Sequence, residues 1–435
     1  MVKINYRRQT LMKTGKNGIV ALLLAVGMIS NGQTLCAANN SEVVLYQQDA
    51  KELVDTVERT YPDFIDGDIP KGYEQAKKDY LEQSSKKVTI EDFKNLTRAY
   101  LTSLEDAHTT ILDGEMYTLD IDFVASKDTL YLVDDQGRQT DSKVIKIGNV
   151  TVEDLFKWMD KHYPAENQIA RDYMHADVIK GQLLLKAAGC KVEQDVTIQI
   201  ENQGKVSEKK VQFIKYHNEG ETQQYEKGID TQLMGDILYI DLNTCMLNKE
   251  EFEIQVENIK KSMEEGVTKY IIDVRDNTGG DATFCRTMLE EMGMKYPEFG
   301  YTFRNSPLTV EQRGTEKSEG LEKEDSILTA VPNKDIQLAV LTNEKTFSAA
   351  TMLATYVKDG KLGTIIGRIS SNAPSFSADT VYYTMKQSKI VVSISTSILL
   401  RPDTKADQTM LVPDIMTEPG EDSLQRAIKY LNEKK

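Results

Sequence analysis

From residue 229 onward, apolar strand-like runs alternate with amphipathic helical stripes, and this alternation restricts the C-terminal half to an α/β layer fold. Residues 237–240 form the first run, followed by a helical stripe at Phe252, Val256, Ile259 and Met263 that stops at Gly266. A second run, 270–274, leads into Arg275-Asp276-Asn277-Thr278-Gly279-Gly280 and then a helical segment, 282–292. The third run spans 336–341, breaks at Thr342-Asn343, and passes through Ser348 into a helix over 349–356. A short strand at 364–366, a hairpin turning at Gln387-Ser388 and a closing helix at 424–431 complete the pattern.

Upstream the periodicity differs. Residues 45–107 read as helical: Ala50, Leu53, Val57 and Tyr61 repeat at helical spacing, as do Tyr73, Ala76 and Tyr80. A third stripe, Phe93, Leu96, Tyr100 and Leu104, follows Thr89 and Asp92 as an imperfect capping box. Residues 115–216 alternate in the strand manner, with a tight turn at Gly148-Asn149 and helices near 155–159 and 169–188. The chain of 435 residues therefore divides into a helical unit at 39–112, a compact α+β module at 113–224 and an α/β core at 225–435. The polar stretch 305–333, with its charge run at 322–325, is expected to be either a mobile loop or lid or a solvated insert.

Residues 1–38 have the form of an export signal: a basic start, an apolar core over 19–29, and small residues at Ala37-Ala38 for cleavage. Its apolar core is too short for a comfortable membrane span, and Leu35 before Cys36 favours free export over lipid attachment. The net charge of -15 argues against nucleic acid or anionic lipid as a partner. Cys190, Cys245 and Cys285 form no disulfide framework, and no cysteine or histidine pattern has metal-ligand spacing, so neither metal nor cofactor is expected.

Three short stretches could carry chemistry. Ser348 stands on a strand-to-helix turn, where backbone amides and the helix dipole favour a developing anion; serine is equally a common helix cap. The pair Gly279-Gly280 lets a backbone turn tightly and present amides outward, or simply joins a strand to a helix. His108, in Asp106-Ala107-His108-Thr109, sits at a helix-to-strand junction, and a lone histidine there is as compatible with solvation as with catalysis. His162 and His175 read as surface residues of the middle module.

Taken together with Val412-Pro413-Asp414-Ile415, these stretches occur in an order that resembles the serine peptidase family of C-terminal processing proteases and the tricorn protease, closest to its histidine-using branch. The resemblance implies an N-terminal helical cap, a PDZ-like middle module and a peptidase core of the crotonase and Clp-protease type. It also implies Ser348 as nucleophile, His108 as general base, and an oxyanion hole from Ala349 with Gly279 or Gly280. By its place before the Pro-Asp ending, Asp407 is the orienting acid, ahead of Asp106 and Asp403. The implied function is exported peptide-bond hydrolysis on peptide or protein substrates; the alternative is an inactive relative that binds peptides or another ligand. Ala107, Arg368, Met410 and the short Asp407 depart from the family pattern. The lysine of the family's serine–lysine branch is replaced here by Ala373.

Overall fold

A computed structural model describes residues 42–66, 69–215 and 228–433. The export signal and the junction at 224 lie outside the described residues. The fold is mixed α/β and multidomain, with three main sheets.

Helices α1 (Gln47–Thr60), α2 (Tyr73–Ser84) and α3 (Ile90–Thr102) come first. The Thr89 hydroxyl caps α3 by accepting from Asp92 N at 3.1 Å. A short strand, β1 (Thr110–Ile111), follows His108 directly.

Next comes an antiparallel sheet built from β2 (Tyr117–Leu119), β3 (Phe123–Ser126), β4 (Thr129–Val133), β5 (Gln139–Ile147), β6 (Asp195–Asn202) and β7 (Lys205–Lys215). Its strand order is β2-β7-β6-β5-β4-β3, and the pair Val150–Thr151 folds back on β5 at the expected turn. Helices α4 (Val152–His162) and α5 (Gln168–Ala176) cover one face, burying Leu155, Phe156 and Met159 with Leu130 and Ile198.

The core sheet comprises β8 (Ile229–Met234), β9 (Ile237–Leu242), β10 (Lys269–Asp273), β13 (Gln337–Thr342), β14 (Thr364–Gly367) and β17 (Ile415–Met416), in that order and parallel from β9 onward. Successive β13 residues explain why its interior, 338–341, is wholly apolar. Leu338 and Val340 face the core under α6 (Lys249–Glu264), α7 (Ala282–Glu291) and α8 (Ala349–Asp359), while Ala339 and Leu341 face α9 (Ser423–Glu433). The carboxyl ends of β9, β10 and β13 therefore open onto one edge, where α/β sheets place ligand sites.

A third sheet joins β11 (Gly300–Arg304), β12 (Leu321–Glu324), β15 (Phe376–Thr384) and β16 (Val391–Leu400), with β1 paired to β16. The β15–β16 hairpin packs on the N-terminal helices, burying Val381, Val392 and Ile394 with Tyr73, Phe93 and Tyr100. The buried Asp49 carboxylate accepts from the Gln387 and Ser388 amides at 3.0 and 2.7 Å, fixing the hairpin turn to α1.

One expectation fails here. The 305–333 stretch is no free lid: Pro307–Arg313 is a helix with a reciprocal Ser306–Thr309 capping box, and β12 pairs with β11. Its polar sequence fits a solvent-exposed helix and sheet edge. Among the described residues, no helix is long and apolar enough to cross a membrane.

Candidate active site

Ser348 stands at the first turn of α8 with φ 53° and ψ -122°. That is a left-handed conformation which L residues avoid, at a cost of about 1–3 kcal/mol. The side chain makes no capping hydrogen bond, so the strain is not offset by the cap that serine would ordinarily supply. Instead the Ser348 amide donates to Asn372 Oδ1 at 2.6 Å, which leaves the hydroxyl uncommitted. Asn372 is fully buried, so the nucleophile turn is braced from a second loop.

The Gly279-Gly280 turn lies against this serine. A Cβ on Gly279 would fall 2.6 Å from Ser348 Cβ and 2.9 Å from the Ala349 nitrogen; one on Gly280 would fall 2.4 Å from the Cys245 carbonyl carbon. Both glycines also hold positive φ, 96° and 136°. The two loops are laced together. Phe347 N donates to Asn277 O at 2.9 Å, Thr346 Oγ1 to Val274 O at 2.9 Å, and Asp276 N to Asn343 Oδ1 at 3.0 Å.

The expected oxyanion donors are thereby narrowed. Gly279 N donates to Asn277 Oδ1 at 2.8 Å and is spent. Among the described residues, the amides of Gly280 and Ala349 have no such acceptor, and Ala349 opens the helix, where the dipole adds to its pull on an anion.

His108 comes from a different part of the chain, the loop between α3 and β1. Its backbone is held by β1: the carbonyl accepts from Ser393 Oγ at 2.7 Å, and Thr109 Oγ1 accepts from Ser395 N at 3.0 Å. The ring lies between two phenyl rings, with centroids 4.7 Å from Phe347 and 5.5 Å from Phe376. Phe347 precedes Ser348, so the imidazole is stacked beside the nucleophile turn. Both ring nitrogens are buried without a hydrogen-bond partner. Burial pushes the pKa of His108 below its ordinary value, against the pull of Asp106 and Asp379, so the ring is neutral at pH 7 and able to take a proton.

The orienting acid is where expectation and structure part. Asp407 is exposed and its Oδ1 closes its own turn, accepting from Thr409 N, Thr409 Oγ1 and Met410 N at 2.8, 2.7 and 3.1 Å. Its carbonyl accepts from Arg401, which is itself locked in a buried pair with Asp359, and Asp407 makes no bond to His108. Asp403 likewise spends its carboxylate locally, on Lys405 N.

Two other carboxylates flank the ring: Asp106, the first runner-up, and Glu166, from the turn between α4 and α5. One donor atom from each of Asp106, His108 and Glu166 lies within 4.8 Å of the others. This trio is also the one set of metal-type donors among the described residues. Asp106 faces inward to its own loop, accepting from His108 N at 2.8 Å and Thr109 Oγ1 at 2.5 Å, and its Oδ1 stays 3.9 Å from His108 Nδ1. Nothing in Pro164-Ala165-Glu166-Asn167 marks Glu166 in sequence. It is a polar residue in a loop, and only the packing of the middle unit on the core gives it a role.

His162 and His175 are buried rather than on the surface. His162 Nδ1 bonds the Trp158 carbonyl at 2.6 Å, and His175 stacks on Phe156 and bonds Asp160 at 2.8 Å. Both are structural. Cys190, Cys245 and Cys285 are free and buried.

With this geometry in hand, residues 236–417 match the family model of Peptidase family S41. Mature CPAF is a solved structure of the same fold, with TM-score 0.59 and 13% identity over 89% of this chain and 95% of that one. Mature CPAF complexed with lactacystin gives TM-score 0.58 and 15% identity over 89% and 97%. The photosystem II D1 C-terminal processing protease also aligns, over 87% of this chain and 94% of that one, at 13% identity and TM-score 0.45. No curated protein matches the chain in sequence.

Proposed function

Since residues 236–417 carry the core of peptidase family S41 and the chain is a serine-type peptidase, we propose that it is an exported endopeptidase that cleaves peptide bonds through an acyl-enzyme on Ser348. The observation that carries this reading is the strained Ser348, uncapped at the head of α8, beside a buried imidazole with both nitrogens unpartnered.

In this mechanism neutral His108 removes the Ser348 proton as Oγ attacks the scissile carbonyl carbon. The resulting oxyanion is met by the Ala349 and Gly280 amides, a contribution of about 3–4 kcal/mol per well-placed donor. The imidazolium then gives its proton to the departing amine, and water, activated by the same ring, releases the acyl group. The ring's lowered pKa favours this cycle at neutral pH because the base is already unprotonated.

The middle unit, residues 113–224, is proposed to be PDZ-like and to receive peptide, and the N-terminal helices to form a cap over the β15–β16 hairpin. Export rests on the basic and apolar pattern of residues 1–38 and is checked by fractionating cells that produce the full chain.

The functional test is turnover of unfolded casein by residues 39–435. The expected result is hydrolysis that Ser348→Ala reduces by about 10⁴-fold or more while leaving a folded protein. Equal hydrolysis by both proteins would remove Ser348 from the mechanism, and no hydrolysis by a folded wild type would favour a ligand-binding relative.

A further inference from the structure

Glu166 joins elements that are remote in sequence. Its Oε2 accepts from Asn372 Nδ2 at 2.7 Å and from Ala373 N at 2.8 Å. Asn372 uses its other end, Oδ1, to hold the Ser348 amide at 2.6 Å. Next to it, Asn167 caps α5 and reaches across to the Ser371 and Thr409 carbonyls at 3.3 and 2.9 Å. Two consecutive side chains of the middle unit thus clamp the loop that braces the nucleophile turn.

The second oxygen of the carboxylate, Oε1, is buried and has no partner. Leaving a carboxylate oxygen dry and unpaired is costly, and a fold retains such a group where another state of the site pairs it. The missing partner is close at hand. A Glu166 oxygen lies within 4.8 Å of a His108 ring nitrogen, and both nitrogens of that ring also lack partners. Asp106 is the rival, but its two oxygens already serve the His108 amide and the Thr109 hydroxyl.

We propose that Glu166 is the positioning carboxylate of the site: Oε1 receives the His108 ring N–H during turnover while Oε2 holds Asn372 against the Ser348 amide. One side chain from the middle unit thereby sets both the base and the nucleophile turn, and catalysis requires that unit to be docked. This rests on the Ser348–His108 reading given above.

The assignment predicts a pH signature. Burial raises the Glu166 carboxyl to about 7, with Asp106 adding repulsion, while the bonds from Ala373 and Asn372 and the nearby Ala107 amide oppose it. The other ionisable groups facing this cluster are His108, Asp379 on β15, and Tyr61 after α1, whose buried phenol is raised by burial and by the nearby Asp106 and Glu166. A protonated Glu166 presents no charge to stabilise an imidazolium, so activity should rise with pH through about 7 as the carboxylate forms. Glutamine cannot replace it, because a single amide oxygen cannot serve Asn372 and Ala373 on one side and His108 on the other.

The experiment compares kcat/KM for casein peptides and the rate of fluorophosphonate labelling, from pH 5 to 9, in wild type, Glu166→Gln and Glu166→Asp. Expected are a loss of roughly 100-fold or more in Glu166→Gln, disappearance of the limb near 7, and partial recovery in Glu166→Asp with a limb displaced from its wild-type position. If Glu166→Gln labels at Ser348 within threefold of wild type with an unchanged pH profile, Glu166 is packing only. Should Glu166→Gln fail to fold, Glu166→Asp decides: a limb displaced from its wild-type position supports the assignment, and an identical profile overturns it. Wild type that never labels at Ser348 overturns the underlying serine–histidine reading, and the positioning role with it, a result distinct from labelling that ignores Glu166.

Discussion

The two halves of the candidate site are built in different ways. The Ser348 half belongs to the parallel sheet. Its two loops leave adjacent strand ends, β10 and β13, and are tied to each other by the Phe347–Asn277, Thr346–Val274 and Asp276–Asn343 bonds. The His108 half is assembled from remote parts: the loop after α3 with the two-residue strand that continues it onto β16, and a carboxylate from the middle unit. A nucleophile held at a left-handed φ needs a frame that over-determines it, and the laced loops supply one. The base needs only to reach its place, and its supports are few enough that the packing of whole units decides it.

If the frame around Ser348 is as tight as the geometry says, the largest effect among the residues that support the pair should come from Gly279→Ala. The new Cβ would collide with Ser348 Cβ at 2.6 Å, so activity should fall by about 100-fold or more through misplacement of the nucleophile. Peptide hydrolysis and a urea melt of the same variant would separate that loss from unfolding. On the base side the expected effect is smaller. Thr109→Val keeps the shape but removes the hydroxyl that joins Asp106 to the Ser395 amide, and should lower kcat by roughly tenfold with KM little changed.

A stability measurement sharpens the contrast further. Glu166 binds its proton more tightly in the folded chain than in the unfolded one, so its contribution is fully present below its ordinary value of 4.5 and is lost as pH rises through about 7. Urea unfolding at pH 5 and pH 8 should therefore show wild type losing about 1–3 kcal/mol relative to Glu166→Gln across that window. A parallel pair of curves would contradict the buried, unpaired carboxylate. The smallest effect is expected from Asp407→Ala, because its carboxylate closes a surface turn: activity should stay within about twofold, and a loss beyond tenfold would return Asp407 to the site.

The same contrast explains what could be read in the sequence. The strand runs at 270–274 and 336–341, the glycine pair and the helix after Ser348 are local signals, because one buried strand followed by one turn leaves its pattern in adjacent residues. The hairpin around Gln387-Ser388 and the Thr89 cap were legible for the same reason. His108 was visible only through the order of motifs along the chain. Glu166 and Asn372 were not visible at all, since their roles arise from loops that meet in space and neither sits in a periodic pattern. Asp407 misled because its place before the Pro-Asp ending says nothing of which way its carboxylate turns, and here Thr409 and Met410 claim it. The polar 305–333 stretch misled because a sheet edge covered on one side needs little apolar sequence.

The central claim is that Ser348 and His108 form one working nucleophile–base pair. It is tested most directly by fluorophosphonate labelling of residues 39–435, read by intact mass, beside Ser348→Ala and His108→Ala. Expected are one covalent adduct on the wild type, none on Ser348→Ala, and labelling slowed by about 1,000-fold or more on His108→Ala. Labelling of His108→Ala at the wild-type rate, or an adduct that persists without Ser348, would contradict it.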